Sequence, residues 1–504
     1  MSILSLVSQC GSVPEGFARE QISAEAMRSR RQLLSVAGIT SLISASASTS
    51  AQVSRTGSIS DKAKRMRLLR RITYGPTEAD VTQIETLGFD AYLDQQLAYE
   101  DIDDSACNAL LTPYISLNMQ PRDLNKLRSE VPYEELAEAK IVRSLYSKRQ
   151  LYEKMVEFWT DHFNIYFHKV GFLKTVDDRV VIRTHALGNF YNMLHASAIS
   201  PAMLVYLDND PSSKEDPNEN YARELMELHT MGVKGGYSQE DVRQVARCLT
   251  GWGVKWWPDN APDKWMFYFD KYQHYNGPKR VLNQDIPAGG GIKDGQTVLN
   301  IIQKRRSTAE FISTKMIKFL LRPDPSPELI KQVADVFQTT KGDIRAMIKV
   351  ILTQDNIANA PLKFKRPFHL VISALRQSNA KITDYTKIRE ALDEMGHFPF
   401  DWAPPNGYPD AMPFWAGFML PRWNFVFSLM DGMDWVKVDQ FWLLKGAFTA
   451  SEVTARISKL LFQNEMTSEE KADIMTFLLP DGDSAKKVRN AFALSMASPG
   501  FQRY

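Results

Sequence analysis

Residues 134–168 read EELAEAKIVRSLYSKRQLYEKMVEFWTDHFNIYFH, a stretch whose apolar side chains recur at helical spacing over too great a length for one helix. The spacing predicts two long helices, the second dense in aromatics, and the rest of the chain repeats the pattern. Thr77-Glu78-Ala79-Asp80, after Gly75-Pro76, reads as a helix start with a capping carboxylate; Val81, Ile84 and Leu87 make its stripe, and Gly88 ends it. Phe89, Leu93 and Leu97 open the next stripe. Ser238-Gln239-Glu240-Asp241 starts another, with Val242, Val245 and Leu249 on the apolar side. Segments 307–321, 326–353, 366–377 and 485–498 follow the same logic. Strand signals are few: Trp265 to Phe269 and Arg280 to Leu282 flank Asn276-Gly277-Pro278, which predicts a hairpin. Strands and helices do not alternate, so the expected fold is mainly α, a large multi-helix domain with a small β-hairpin insert. Irregular loops are expected at 208–220, 254–298 and 396–424, the last rich in Pro, Gly and aromatics. The helical domain is expected to span 62–504, with two lobes as the alternative arrangement.

Composition narrows the class. With 44% hydrophobic and 24% charged residues, the 504-residue chain is ordinary for a soluble globular protein. Its 61 basic and 59 acidic residues leave a formal charge of +2, so no bulk field draws nucleic acid and none is expected as a partner. No run of about 18 apolar residues occurs, so no transmembrane segment is expected in the mature chain. Residues 29–34, SRRQLL, place the pair Arg30-Arg31 before a mildly apolar run and then small residues. Ala45-Ser46-Ala47 and Thr49-Ser50-Ala51 both suit cleavage. The region 1–51 is therefore expected to carry a twin-arginine-type export signal at 29–51, which implies a periplasmic or extracellular protein that folds before translocation. Cys10 would leave with the signal. Cys107 and Cys248 read as buried free thiols, with a disulfide between them as the alternative.

Chemistry concentrates in NENYARELMELHTMG, residues 218–232. A helix is expected from about Glu219 to Met231, with Gly232 stopping it, and Leu225, Leu228 and Met231 as its stripe. Glu224 and Glu227 share a face, as carboxylate metal sites in bundles require. His229 lies five residues past Glu224, about 140° around an ideal helix, so the pattern is neither HExxH nor Glu-x-x-His. Salt-bridged surface glutamates are the plainer reading. A ligand from elsewhere would be needed, and His162 in FWTDHFNIYFH supplies one. If His162 faces Glu224 and Glu227, the three make a mixed site for a divalent metal. Otherwise His162 is a core histidine among Phe158, Trp159 and Phe163. His274 in QHYNGPKR is a candidate acid/base or an ordinary turn histidine. Trp402, Trp415, Trp423 and Tyr408, in residues 400–425, either form a stacking platform or plug a Pro-rich loop into the body. GxSxG, P-loop and Rossmann motifs are absent from the sequence.

These stretches resemble a bacterial family known as domain of unknown function 1800. LLRRITYGPTEADVTQIETLGFDAYLDQQL (68–97), EKMVEFWTDHFN (153–164), YLDND (206–210), residues 218–252, PPNGYP (404–409) and RNAFALSMASPGFQ (489–502) are similar to its blocks, in order. The resemblance puts emphasis on Glu153, Trp159, His162, Asp208, Asn209, Asn218, Glu219, Asn220, Arg223, Glu224, Glu227 and His274. It implies export and a partner, since members are often encoded beside a second exported family, domain of unknown function 1501, which resembles phosphatases and sulfatases. The third cluster departs from the family's usual His-Asp before a glycine and a lysine: here it reads His274-Tyr275-Asn276, which removes the aspartate.

Two functions follow as expectations. In one, an exported enzyme uses Glu224, Glu227, His162 and His274 catalytically, with Asp208, Asn218, Asn220, Arg223 and Trp159 binding substrate and a divalent metal as a candidate cofactor. In the other, the Asn/Arg/Glu block is a structural hydrogen-bond hub. Aromatic loops near 255–275 and 400–425 then contact an exported phosphatase- or sulfatase-like partner.

Overall fold

Helix follows helix from Asp61 to Ala497, broken only by three two-stranded sheets among the described residues. The computed structural model describes residues 59–479 and 484–504; the signal expected at 29–51 lies outside them. The fold is mainly α. The expected caps are present: Thr77 and Asp80 form a reciprocal capping box, as do Ser238 and Asp241. The 134–168 stretch becomes Glu130–Tyr146 and Gln150–His162, interrupted at 147–149.

Gln150–His162 is the central helix, with every residue but Asp161 buried. Such burial follows from its position between two hydrophobic cores. One core runs from Met66 through Trp159, Leu225 and Met316 to Ile357. The other joins Tyr74 and Ile141 to residues from Phe368 to Phe501. The cores are tied by side chains reaching across the sequence: Arg376 donates to Asp80 at 3.0 Å and Arg456 to Glu78 at 2.7 Å. Lys363 and Tyr504 exchange two backbone hydrogen bonds of 2.9 Å. No helix among the described residues is long and apolar enough to cross a membrane.

The β insert differs from the expected hairpin. Strand β1 (Trp252–Val254) pairs antiparallel with β2 (Phe267–Phe269), and β3 (Lys279–Val281) with β4 (Gln284–Ile286). The segments on either side of Asn276-Gly277-Pro278 thus belong to different sheets. The tight turn lies instead at Leu282-Asn283, whose φ values of 49° and 65° are both left-handed, as a two-residue primed turn requires. A third sheet joins β5 (Lys381–Ile382) to β6 (Val436–Lys437).

The helix expected to reach Met231 is Glu219–Glu227. His229 N–H reaches back five residues to the Glu224 carbonyl at 3.1 Å, and the Thr230 hydroxyl takes the Leu225 carbonyl at 2.6 Å. This widened last turn carries His229 inward, where it is buried. A regular 100° projection beyond Glu227 therefore misplaces it.

Candidate functional site

One face of the central helix carries Glu153, Glu157 and Asp161, each one turn after the last. Each meets a cation from a distant segment. Arg183 binds Glu153 through two nitrogens at 3.0 and 2.6 Å. Arg366 donates to both Glu157 and Asp161, the latter at 2.5 Å, and Tyr74 Oη adds a 2.5 Å bond to Glu157. Burial alone would raise these carboxyls. At Glu153 the charge and hydrogen bonds of Arg183 win, and at Glu157 the charges of Arg366, Lys140 and Lys154 and the Tyr74 hydrogen bond win, so both are held below the usual range. At Asp161 burial wins over Arg366 and the carboxyl is raised. Among the described residues no carboxylate lies within ion-pair distance of Lys154; its ammonium lies 5.1 Å from the Tyr74 and Tyr504 rings and 5.3 Å from Phe319, and burial brings it down to about 7. Gly407 of PPNGYP has φ 73° and abuts the helix end so closely that a Cβ there would strike the Asp161 carbonyl.

His162 does not turn toward Glu224 or Glu227. Its Nε2 donates to the His229 carbonyl at 3.1 Å, and Phe158, Trp159, Phe163, Phe190 and Phe311 surround its ring. Burial, then the Lys315 charge, pushes both histidines down, His229 to about 3. Trp159 is buried, donating its indole N–H to the Ala186 carbonyl at 3.0 Å, and is thus enclosed away from any substrate surface. No group of three or more His, Cys, Asp or Glu side chains is placed to hold a metal ion among the described residues. Cys107 and Cys248 are free and buried.

The asparagines are held by main chain. Asn218 caps the Glu219–Glu227 helix by accepting from the Asn220 and Tyr221 N–H groups, and it donates to the Asp208 carbonyl. Asn220 donates to the Leu207 carbonyl at 3.2 Å, and buried Asn209 to the Leu249 and Trp252 carbonyls at 3.3 and 2.9 Å. Asn164 spans the Trp402 and Pro404 carbonyls at 2.8 Å each. Asp208, exposed at φ 58°, pairs with Lys169 at 2.7 Å. His274 is not a solvent-facing turn residue: it is buried, its Nε2 lying 3.0 Å from Asp294, which also takes Lys279 at 2.5 Å. Asp294 supplies, from another segment, the carboxylate that the His274-Tyr275-Asn276 sequence lacks.

Arg223, Glu224 and Glu227 remain partly open to solvent. Arg223 lies 3.6 Å from Glu219 and 3.9 Å from Glu227 and donates to Gln239 at 3.0 Å. Partial burial, then the Glu227 charge, raises Glu224, and Arg223 offsets only part of this. In the 400–425 loop Trp415 and Tyr408 are buried beside His397, so the loop plugs into the body rather than presenting a row of rings. Sequence reasoning missed Tyr74, Glu157, Asp161 and Arg366. A carboxylate every fourth residue in an aromatic helix was the available signal for Glu157 and Asp161; Arg366, some two hundred positions on, offered none.

These features define a class: a mainly helical protein built around a salt-bridged buried helix, with asparagine side chains stapling its loops. The chain belongs to the family described as protein of unknown function (DUF1800), whose model matches residues 67–503. No curated protein and no solved structure matches it.

Proposed function

We propose that this is an exported, non-catalytic binding protein that docks a phosphatase- or sulfatase-like partner through its 252–272 hairpin. The observation that carries this reading is the hairpin surface. Trp257 is 74% and Tyr272 72% exposed, with Met266 and Tyr268 exposed beside them, while Trp256, Trp265 and Phe269 pack against the core beneath. Large rings held on a rigid base lose little entropy on binding, which suits a protein contact. The Asn/Arg/Glu block supports the same reading, because Asn164, Asn209, Asn218 and Asn220 spend their donors on carbonyls that fix the surrounding loops. Export follows from Arg30-Arg31 and the small residues after them, and the partner class from the family resemblance.

Glu224 favours a second reading. A half-buried, raised carboxyl beside Glu227, with no side-chain hydrogen bond among the described residues, suits acid/base work on a polar substrate. One comparison separates the two. Binding of a purified exported phosphatase- or sulfatase-like protein of the class the resemblance implies is measured for wild type, for Trp257→Ser/Tyr272→Ser and for Glu224→Gln. Docking predicts at least about tenfold weaker binding for the double variant, the scale of a lost aromatic hot spot, and no change for Glu224→Gln. Unchanged binding by the double variant overturns the docking reading, and loss of a measured turnover in Glu224→Gln alone establishes the second.

A further inference from the structure

A small, partly open cavity lies where the start of the Pro367–Gln377 helix meets the last residues of the chain. Its wall includes Lys365, His369, Arg70, Arg503, Gln377 and Tyr504, and none of its lining side chains is acidic among the described residues. Lys365 is 5% exposed and His369 4%. Lys365 uses one ammonium proton on Ser373 Oγ at 3.1 Å and rests 3.6 Å over the Phe501 ring, with no carboxylate of the described residues in ion-pair range. His369 makes ring contacts with Tyr74 and Tyr504 and no hydrogen bond. Arg70 Nε is buried without a partner among the described residues, and Arg503 is exposed.

A buried ammonium needs a counter-charge, and this one has the opposite. After burial, the charges acting on Lys365 come from Arg70, Arg422 and Lys154, all positive, and together they push its pKa well below the usual lysine range. Two acids bond into this wall and both are already engaged: Glu465 is held by Arg70, and Glu470 accepts from the Gly500 N–H at 3.0 Å and the Ser498 hydroxyl at 2.9 Å. Two carbonyl-type oxygens, Gln377 Oε1 and Gln463 Oε1, are also buried here unpartnered, and their amide nitrogens are spent on Leu460 and Leu461 carbonyls. Lys365 keeps two further ammonium protons, and Lys365, His369, Arg70 and Arg503 all line the same space.

We propose that this cavity binds a single small inorganic anion, chloride, held by Lys365 and His369 with Arg70 and Arg503 at the mouth. Its free space is on the scale of one or two water molecules, which suits a halide better than a larger oxyanion. The site would clamp the 365–377 segment to the chain's closing residues and neutralise a charge the fold otherwise leaves buried.

The test is crystallographic and thermal. Crystals of the full chain grown in sodium bromide should show an anomalous peak between Lys365 and His369, and an ordered water without anomalous signal there overturns the proposal. In solution, the unfolding midpoint should be higher in sodium chloride than in sodium gluconate at equal ionic strength, with sodium sulfate at that ionic strength matching gluconate. Lys365→Met should abolish the difference. Arg503→Ala, at an exposed position that leaves the core intact, should weaken chloride about tenfold through loss of a charge-assisted donor. If Lys365→Met does not fold, Arg503→Ala decides: an unchanged chloride dependence overturns the assignment, as does a sulfate effect equal to that of chloride.

Discussion

His229 Nε2 is buried without a partner, and the ring is pushed down to about 3. His162, His369 and His397 are held well below the usual histidine range by burial first and positive neighbours second. On unfolding all four return to water and protonate near pH 6.5. Between that value and the folded pKa the unfolded chain takes up protons that the native chain refuses. Stability is therefore complete above about pH 6.5 and falls as pH drops, by about 1.4 kcal/mol per pH unit for each such histidine within its window. Glu153 and Glu157, held low by their arginines, add a second loss beginning below about pH 4.3. Urea denaturation of wild type and His229→Gln between pH 7 and 5 should show a shallower pH slope for the variant; identical slopes would remove His229 from this account. Sequence patterning identified His162 as a core residue among aromatics, one of its two readings. It gave no sign of His229, because the widened turn after Glu227 depends on Thr230 and on the packing around it.

At the scale of elements, the β1–β2 hairpin is anchored by two side chains from the preceding loop, Asn209 on the Trp252 carbonyl and Asp210. Asp210 accepts from the Val254 N–H with one oxygen and from the Trp256 indole with the other, at 2.6 Å. Removing it leaves an N–H and an indole donor without partners, a local cost of about 1–3 kcal/mol for each buried one. Asp210→Ala should therefore make residues 255–272 markedly more susceptible to limited proteolysis, while the global melting temperature moves only a few degrees. A cleavage pattern like that of wild type would show that the hairpin holds without this anchor. Helix starts were legible because Thr77-Asp80 and Ser238-Asp241 are local chemistry, decided within four residues. Strand pairing was not: three-residue strands contain too little alternation to fix a partner, and Leu282 in a left-handed turn position contradicts its own preference. In the 400–425 loop the plug reading was available from Pro and Trp content, and the burial of Trp415 and Tyr408 bears it out.

At the scale of the molecule, the two hydrophobic cores meet along the central helix, and the contact there includes ion pairs. Arg366 stands just before the Pro367–Gln377 helix of one core and holds Glu157 and Asp161 from the helix that the other core surrounds. Attraction between such buried charges scarcely exceeds what their desolvation costs, so the pair is weak evidence for stability. Removing one member is another matter, because it strands the other in a dry interior at about 3–5 kcal/mol. Arg366→Met strands the buried Glu157 carboxylate, takes the partner from part-exposed Asp161 and cuts a direct tie between the cores. The wild-type protein should unfold in one calorimetric transition. The variant should melt lower and in two steps, the core around Phe368 to Phe501 loosening first. Adding Glu157→Gln and Asp161→Asn to Arg366→Met should recover part of the lost stability, since neutral amides tolerate burial better than unpaired charges. It should not restore a single transition, because the tie itself is still missing. A sharp single transition in Arg366→Met, shifted by less than about 1 kcal/mol, would mean that apolar packing alone joins the cores and that the charged spine is incidental to cooperativity.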